Sequence, residues 1–301
     1  MTQIDKSRFE WIGSDSARRE GISRPSTTFW KDAIGRLMKN KVAVVCFFII
    51  VLLILSCIVV PFFSPFESRE QHLGEVNKGF MTVCTDSRYE GQHHVHYFGT
   101  DNLGRDLFLR AFEGGRVSLM IAFAAVFVNL IVGLIYGGIS GYIGGAVDTI
   151  MMRIVEIVNG IPYLIVVILL MMVLPKGIFT MVVAYGITGW TGMARLVRGQ
   201  VLQLKSQEYI VAAEAMGAKS SRIIAKHLIP NALSVIIINV TLAIPSAIFT
   251  EAFLSYIGLG VPVPQPSWGV LAKGGQDVFM TYPYQLVVPA VAISLTMQIG
   301  R

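Results

Sequence analysis

Seven stretches of the chain run without Asp, Glu, Lys or Arg, at residues 42–66, 117–147, 157–175, 177–194, 227–250, 252–272 and 278–300. A helix rises about 1.5 Å per residue, so roughly 20 apolar residues cross a hydrocarbon core. The sixth stretch carries Gly258, Gly260, Pro262, Pro264 and Pro266. Each proline removes a backbone donor that lipid cannot replace, so this stretch is not a span. The pattern predicts an all-α membrane protein with six transmembrane helices. Gly133, Gly137, Gly141 and Gly145 recur every four residues along the second span and its exit, and Gly186, Gly189 and Gly192 mark the fourth. Such stripes let helices approach closely, for packing or for a moving contact. Pro162, Pro245 and Pro289 are placed to kink the third, fifth and sixth spans. Asn129, Asn159 and Asn239 are candidates to line a pathway.

Composition agrees with a bilayer: 53% of residues are hydrophobic, 15% are charged and mean hydropathy is +0.61, against about 25% charged in soluble domains. The net charge of +6 needs no nucleic acid, because cytoplasmic loops collect Lys and Arg. Residues 1–41 hold nine of them, too long and charged a leader for a cleaved signal, so the first span is expected to remain as an anchor. With that end inside, 17 basic residues fall inside and 8 outside, which favours both termini in the cytoplasm. The expected organisation is a cytoplasmic leader 1–41, a first helix 42–61, an external segment 62–116, and a five-helix domain 117–301 containing a cytoplasmic loop 195–230. The chain has no low-complexity tract and no convincing internal repeat.

Catalytic patterns are missing. No Gly-Lys dipeptide occurs, which excludes a GxxxxGK[ST] phosphate loop, and Gly217-Ala218-Lys219-Ser220 has the wrong spacing. HExxH and GxSxG are absent as well. Cys46, Cys57 and Cys84 form neither a disulfide framework nor a CxxC pair. Cys84 with His93, His94 and His96 reads as a solvated loop, since neighbouring histidines are hard to aim at one ion, and no metal site is expected. Asp148, Arg153, Glu156 and Glu251 fall near span ends, where interface water or an Arg153–Glu156 pair can satisfy them. That leaves little for an ion-coupled transporter acting alone, and a receptor or scaffold would carry no flux.

The loop 195–230 is the most informative segment. Tyr209, Ala212, Ala213 and Met216 fall at i, i+3, i+4 and i+7, a narrow stripe on a helix that also carries Glu208 and Glu214. Gly217 is placed to stop it in the left-handed conformation, and Ser220 or Ser221 to cap a second helix running to Pro230. A stripe of small side chains suits a groove on another protein. The alternative is a helix lying on the membrane, helped by Lys205, Lys219, Arg222 and Lys226.

Here the chain resembles the membrane subunits of ATP-binding-cassette importers. Their loop motif is Glu-Ala-Ala, three residues, Gly, nine residues, Ile, one residue, Leu-Pro; Val211-Ala212-Ala213, Gly217, His227, Ile229 and Pro230 stand at those places, with Val for Glu, His for Ile and Ile for Leu. The run from His96 through Gly99, Thr100, Asp101, Gly104, Arg105 and Asp106, then Gly115 to Leu119, is similar to the segment before the second span in the oligopeptide, dipeptide and nickel branch. Met193-Ala194-Arg195, Phe253 to Gly260 and Ser267-Trp268-Gly269 extend the likeness over about residues 96–270. The resemblance implies a type I importer permease fold that forms half of a pore for oligopeptides, with dipeptides or nickel as alternatives, in a prokaryotic cytoplasmic membrane. It implies a second related permease, two cytoplasmic ATPase subunits and an external peptide-binding protein as partners. ATP and Mg would sit on the ATPases and no cofactor on this chain, which is not itself an enzyme. It also implies that Tyr209, Ala212, Ala213, Glu214, Met216, Gly217, Ala218 and Lys219 couple the pore to the ATPases. The family continues past the last span with a charged tail, so a sixth span ending at Arg301 is expected to be shortened.

Overall fold

The computed structural model describes Gly35 and residues 38–64, 66–85 and 95–299. Most of the leader, and His93 and His94, lie outside the described residues. The chain divides into two compact units, Met1–Phe48 and Ile49–Arg301. In the first, Asn40 Oδ1 accepts the amides of Val42 and Ala43 at 3.1 and 3.3 Å, satisfying donors at the start of helix α1 (Lys41–Phe63).

The second unit is organised around α2 (Leu107–Ile143), whose 37 residues make a rod of about 55 Å. It is followed by α3 (Gly145–Gly160), α4 (Tyr163–Val173), α5 (Ile178–Thr188), α6 (Trp190–Lys205), α7 (Glu208–Ala215), α8 (Ser220–Ile223), α9 (Ile229–Tyr256), α10 (Trp268–Asp277) and α11 (Tyr284–Ile299). Three helical runs are long and apolar enough to cross a membrane among the described residues: α1, α2 and Ser220–Tyr256. A fourth is added if α3 and α4, bent by 78°, count as one span. The bend falls at Pro162, which precedes α4 and cannot donate to the α3 ladder.

Several boundaries differ from the sequence pattern. The second span begins at Leu107, ten residues before Val117, because Asp106 caps it there, so Arg110, Glu113 and Arg116 are helical. The fourth stretch is divided at Gly189 into α5 and α6. Pro230 ends nothing: a π-turn at Ile224–Leu228 leads into α9, and Pro230 occupies its first turn, where no intrahelical donor is required. Between α9 and α10 the proline-rich run 257–267 is non-helical.

The glycine stripe on α2 meets α6. A Cβ on Gly133 would lie 2.6 Å from Met193 Cβ, one on Gly137 2.3 Å from the Ala194 carbonyl oxygen, and one on Gly141 2.9 Å from that of Arg198. Gly145 does not belong to this face; with φ +59° it turns the chain into α3. Gly186 approaches Val128 and Gly189 approaches Asn129, whereas Gly192 faces open space. Around the lower part of this contact Met193, Val197, Val201, Ile210, Ile223 and Leu228 form one core.

Candidate functional sites at the two ends of the helical unit

At the N-terminus of α2, the run Gly99–Asp106 is a latch. Asp106 Oδ1 accepts the Leu109 amide at 2.7 Å and caps the helix, while Oδ2 meets His96 Nδ1 at 2.6 Å. His96 Nε2 then reaches Glu75 Oε2 at 3.0 Å. Asp101 Oδ1 accepts the amides of Leu103 and Arg105, both at 2.9 Å, and Oδ2 takes Arg105 Nε at 2.7 Å. Arg110, 1% exposed, donates to the Ser68 carbonyl at 2.7 Å. Thr100 Oγ1 accepts the Lys78 amide at 2.8 Å and donates to the Glu75 carbonyl. Gly99 and Gly104 have φ of +76° and +72°, and a Cβ on Gly104 would lie 2.0 Å from the His72 carbonyl oxygen. Asp106, Thr100 and Gly104 therefore tie the segment after α1 to the start of α2, and the Asp101–Arg105 pair braces the turn between them.

Electrostatics follow from this burial. Burial works against charge on Glu75, but donation from Thr85, Cys84 and His96 outweighs it and holds the carboxyl below the usual range. Burial also works against the His96 imidazolium; Asp106 and then Glu75 outweigh it and raise that group above its ordinary value. The expectation of a solvated loop fails for both His96 and Cys84, which are 0% and 8% exposed. The two-residue strands β1 (Thr82–Val83) and β2 (Val95–His96) pair antiparallel, and Cys84 and His96 at their ends both bond to Glu75 of the 3-10 turn Leu73–Glu75. Beside the latch a cleft of about 770 Å³ is lined by Asp101, Arg105, Lys176, Lys273, Asp277 and Gln285 among others.

The same end holds a network that the sequence did not announce. Glu251 is fully buried rather than at an interface; it accepts from Ser118 at 2.6 Å and Ser255 at 2.7 Å. The Trp268 amide donates to Ser118 and its indole to the Ala111 carbonyl, joining α2, α9 and α10. The partners lie 133 positions apart in sequence, so no local pattern marks them.

At the opposite end, α7 is stopped as expected. Gly217 has φ +79°, its amide donates to the Glu214 carbonyl at 2.9 Å and the Ala218 amide to the Ala213 carbonyl at 3.1 Å, the paired bonds of a glycine C-cap. The predicted stripe splits. Tyr209, Ala212 and Met216 are exposed, Met216 by 81%, but Ala213 is buried together with Ile210, which the pattern had missed. Ala218 packs on the core that includes Ile210, and Glu214 accepts from Tyr142 at 3.0 Å. Neither Ser220 nor Ser221 caps α8; Lys219 is the capping position, with no side-chain bond. The loop is further fixed by Lys205 Nζ donating to the Tyr142 carbonyl at 2.6 Å and by Arg198 paired with Asp148 through two oxygens. Asp148 also accepts from Ser140 at 2.5 Å. Arg153 pairs with Glu156 at 2.7 Å on the surface, as its spacing predicts.

Asn129 sits beneath Gly189, Asn159 accepts from Thr191 at 3.4 Å between α3 and α6, and Asn239 lies partly buried along α9. The first two serve helix contacts.

Comparison with known proteins gives the relationship. Residues 129–300 match the model described as "Binding-protein-dependent transport system inner membrane component", and residues 28–79 match "N-terminal TM domain of oligopeptide transport permease C". The Oligopeptide transport system permease protein OppC of Bacillus subtilis is 48% identical over 99% of this chain and 93% of its own. The Escherichia coli K12 protein of that name is 40% identical over 98% and 93%. The Dipeptide transport system permease protein DppC of Bacillus subtilis is 46% identical over 92% and 83%. In three dimensions the permease-like fold recurs in an inward-facing MetNI methionine ABC transporter, with TM-score 0.53 at 20% identity, over 63% of this chain and 91% of that one. The chain thus belongs to the binding-protein-dependent transport system inner membrane components, multi-pass proteins of the prokaryotic cytoplasmic membrane.

Proposed function

We propose that this chain forms half of an ATP-driven import pathway for oligopeptides, with six spans, both termini in the cytoplasm and the segment between α1 and α2 outside. A second related permease completes the pore, two cytoplasmic ATPase subunits hold ATP and Mg, and an external binding protein delivers the peptide. The observation that carries the coupling role is the exposed face of α7. Tyr209, Ala212 and Met216 project outward while Ala213 is buried and Ile210 and Ala218 root the segment on the α6 and α9 core. A short, rooted helix with one free face suits a groove on a partner. It can bias the pore only if the ATPases contact it differently in their two states. The 46% identity to DppC keeps dipeptides as a second reading.

The test is Gly217→Val in the reconstituted complex. A β-branched residue at φ +79° costs on the order of 1–2 kcal/mol in backbone strain or more and displaces the α7 face. Peptide uptake is expected to fall relative to ATP hydrolysis at matched assembly; unchanged uptake refutes α7 as the coupling element. Competition of labelled pentapeptide uptake by dipeptides separates the two substrate readings.

A further inference from the structure

We propose that His72, Glu75 and Cys84 form a binding site for a divalent transition-metal ion of the zinc class. One ligand atom from each lies within 4.8 Å of the others, and the residues are 1%, 2% and 8% exposed. His72 and Glu75 stand three positions apart across a single 3-10 turn, where i and i+3 side chains eclipse. Cys84 arrives from the residue after β1, which the β1–β2 pairing lays against that turn. Its Sγ is 3.3 Å from Glu75 Oε2. Sulfur and oxygen ligands on one tetrahedral zinc, with bonds of about 2.3 and 2.0 Å, stand roughly 3.5 Å apart.

The surroundings orient the carboxylate as a ligand. Glu75 Oε1 is held by the amide and, at 2.9 Å, the hydroxyl of Thr85, and Oε2 by His96, itself held by Asp106. Hydrogen bonds of this kind fix ligating carboxylates at metal centres. The Phe66 ring stacks on His96 at 4.6 Å and meets His72 edge-on at 5.8 Å, lining the site with apolar surface. A nitrogen, oxygen and sulfur donor set excludes magnesium and calcium, which take oxygen ligands, and suits zinc. On binding, the Cys84 thiol loses its proton to solvent and the thiolate coordinates. The ion would join the 3-10 turn to β1, and through Glu75, His96 and Asp106 to the α2 cap.

The experiment titrates Co2+ into the full chain, purified in detergent and stripped of metal. The unmutated protein is expected to show the near-ultraviolet thiolate-to-cobalt charge-transfer band, removed by added Zn2+. Cys84→Ser and His72→Gln abolish the band, Cys46→Ser and Cys57→Ser retain it, and His96→Gln weakens affinity by about 10–100-fold. No band in the unmutated chain overturns the proposal whether or not any variant folds, and a band that survives Cys84→Ser overturns it equally.

Discussion

Gly137 offers the sharpest test of how the helical unit is held together. It sits mid-way along the α2–α6 contact, and an added Cβ would stand 2.3 Å from the Ala194 carbonyl oxygen and 3.0 Å from the Arg198 amide nitrogen. Both neighbours are backbone, so no side chain can swing away. Restoring an ordinary separation of roughly 3.3–3.5 Å means moving two rigid helices apart by about 1 Å, and overpacking of this kind typically costs about 1–3 kcal/mol. Against this, alanine gains about 0.8–1 kcal/mol over glycine in helix propensity. Gly137→Ala is therefore expected to be destabilising by up to about 2 kcal/mol, and Gly137→Leu by more. Gly192 supplies the control on the partner helix. Nothing lies within 4 Å of its added Cβ, so Gly192→Ala keeps the propensity gain without the clash. Thermal unfolding of both variants in the same detergent reads the difference, with Gly137→Ala below the unmutated protein and Gly192→Ala equal to it or above. A Gly137→Ala protein as stable as Gly192→Ala would mean that α2 and α6 are not in backbone contact there.

Gly104→Ala combines a positive φ with a Cβ 2.0 Å from the His72 carbonyl oxygen; it is expected to open the latch and increase protease cleavage within residues 66–106, which native cleavage patterns would refute. Asp148→Asn removes the charge that Arg198 holds through two hydrogen bonds and is expected to cost about 1–3 kcal/mol, read as a lower unfolding temperature; no change would make the pair incidental. Topology is tested by cysteines placed at Met280, 96% exposed, and Met216, 81% exposed, on a background without the native three. A membrane-impermeant thiol reagent should label the first in intact cells and the second only after permeabilisation, and the reverse pattern would invert the chain.

How much was legible in the sequence follows the range of the interactions involved. The first, second and fifth apolar runs, the break among Gly258 to Pro266 and the Gly217 stop are properties of neighbouring residues, and the structure has long apolar helices, a non-helical run and a helix end there. Boundaries moved where a distant group decided them. α2 starts at Leu107, where Asp106 caps it with one carboxylate oxygen while the other is held by His96, ten residues upstream. The glycine stripe was visible as a period of four, but its end was not: Gly145 shares the spacing and leaves the face because φ turns positive at Gly144 and Gly145. On α7 the stripe groups Ala213 with Tyr209, Ala212 and Met216, whereas the fold leaves those three outward and buries Ala213 with Ile210; an eight-residue helix offers about two turns, too few for period alone to settle which residues turn inward.

The polar sites were hidden for a different reason. Arg198 and Asp148 are 50 positions apart, Ser118 and Glu251 are 133, and His96 and Glu75 are 21. Each pair adjoins α2: Ser118 lies on it, Asp148 also binds its Ser140, and His96 binds its capping Asp106. That helix carries Ser118 at one end and Ser140 at the other, its cap is bound into the Glu75 network, and its last turn supplies Tyr142 to Glu214 of the loop. A buried carboxylate or guanidinium is tolerated only where donors and acceptors converge on it, and here the convergence is set by which residues a single 37-residue rod brings to each of its ends. The apolar pattern specifies the rod; the rod then specifies the polar pairs. For that reason the sequence motif around Gly99–Asp106 could be recognised by its residues while its physical purpose, holding the helix cap to the segment before it, required the fold.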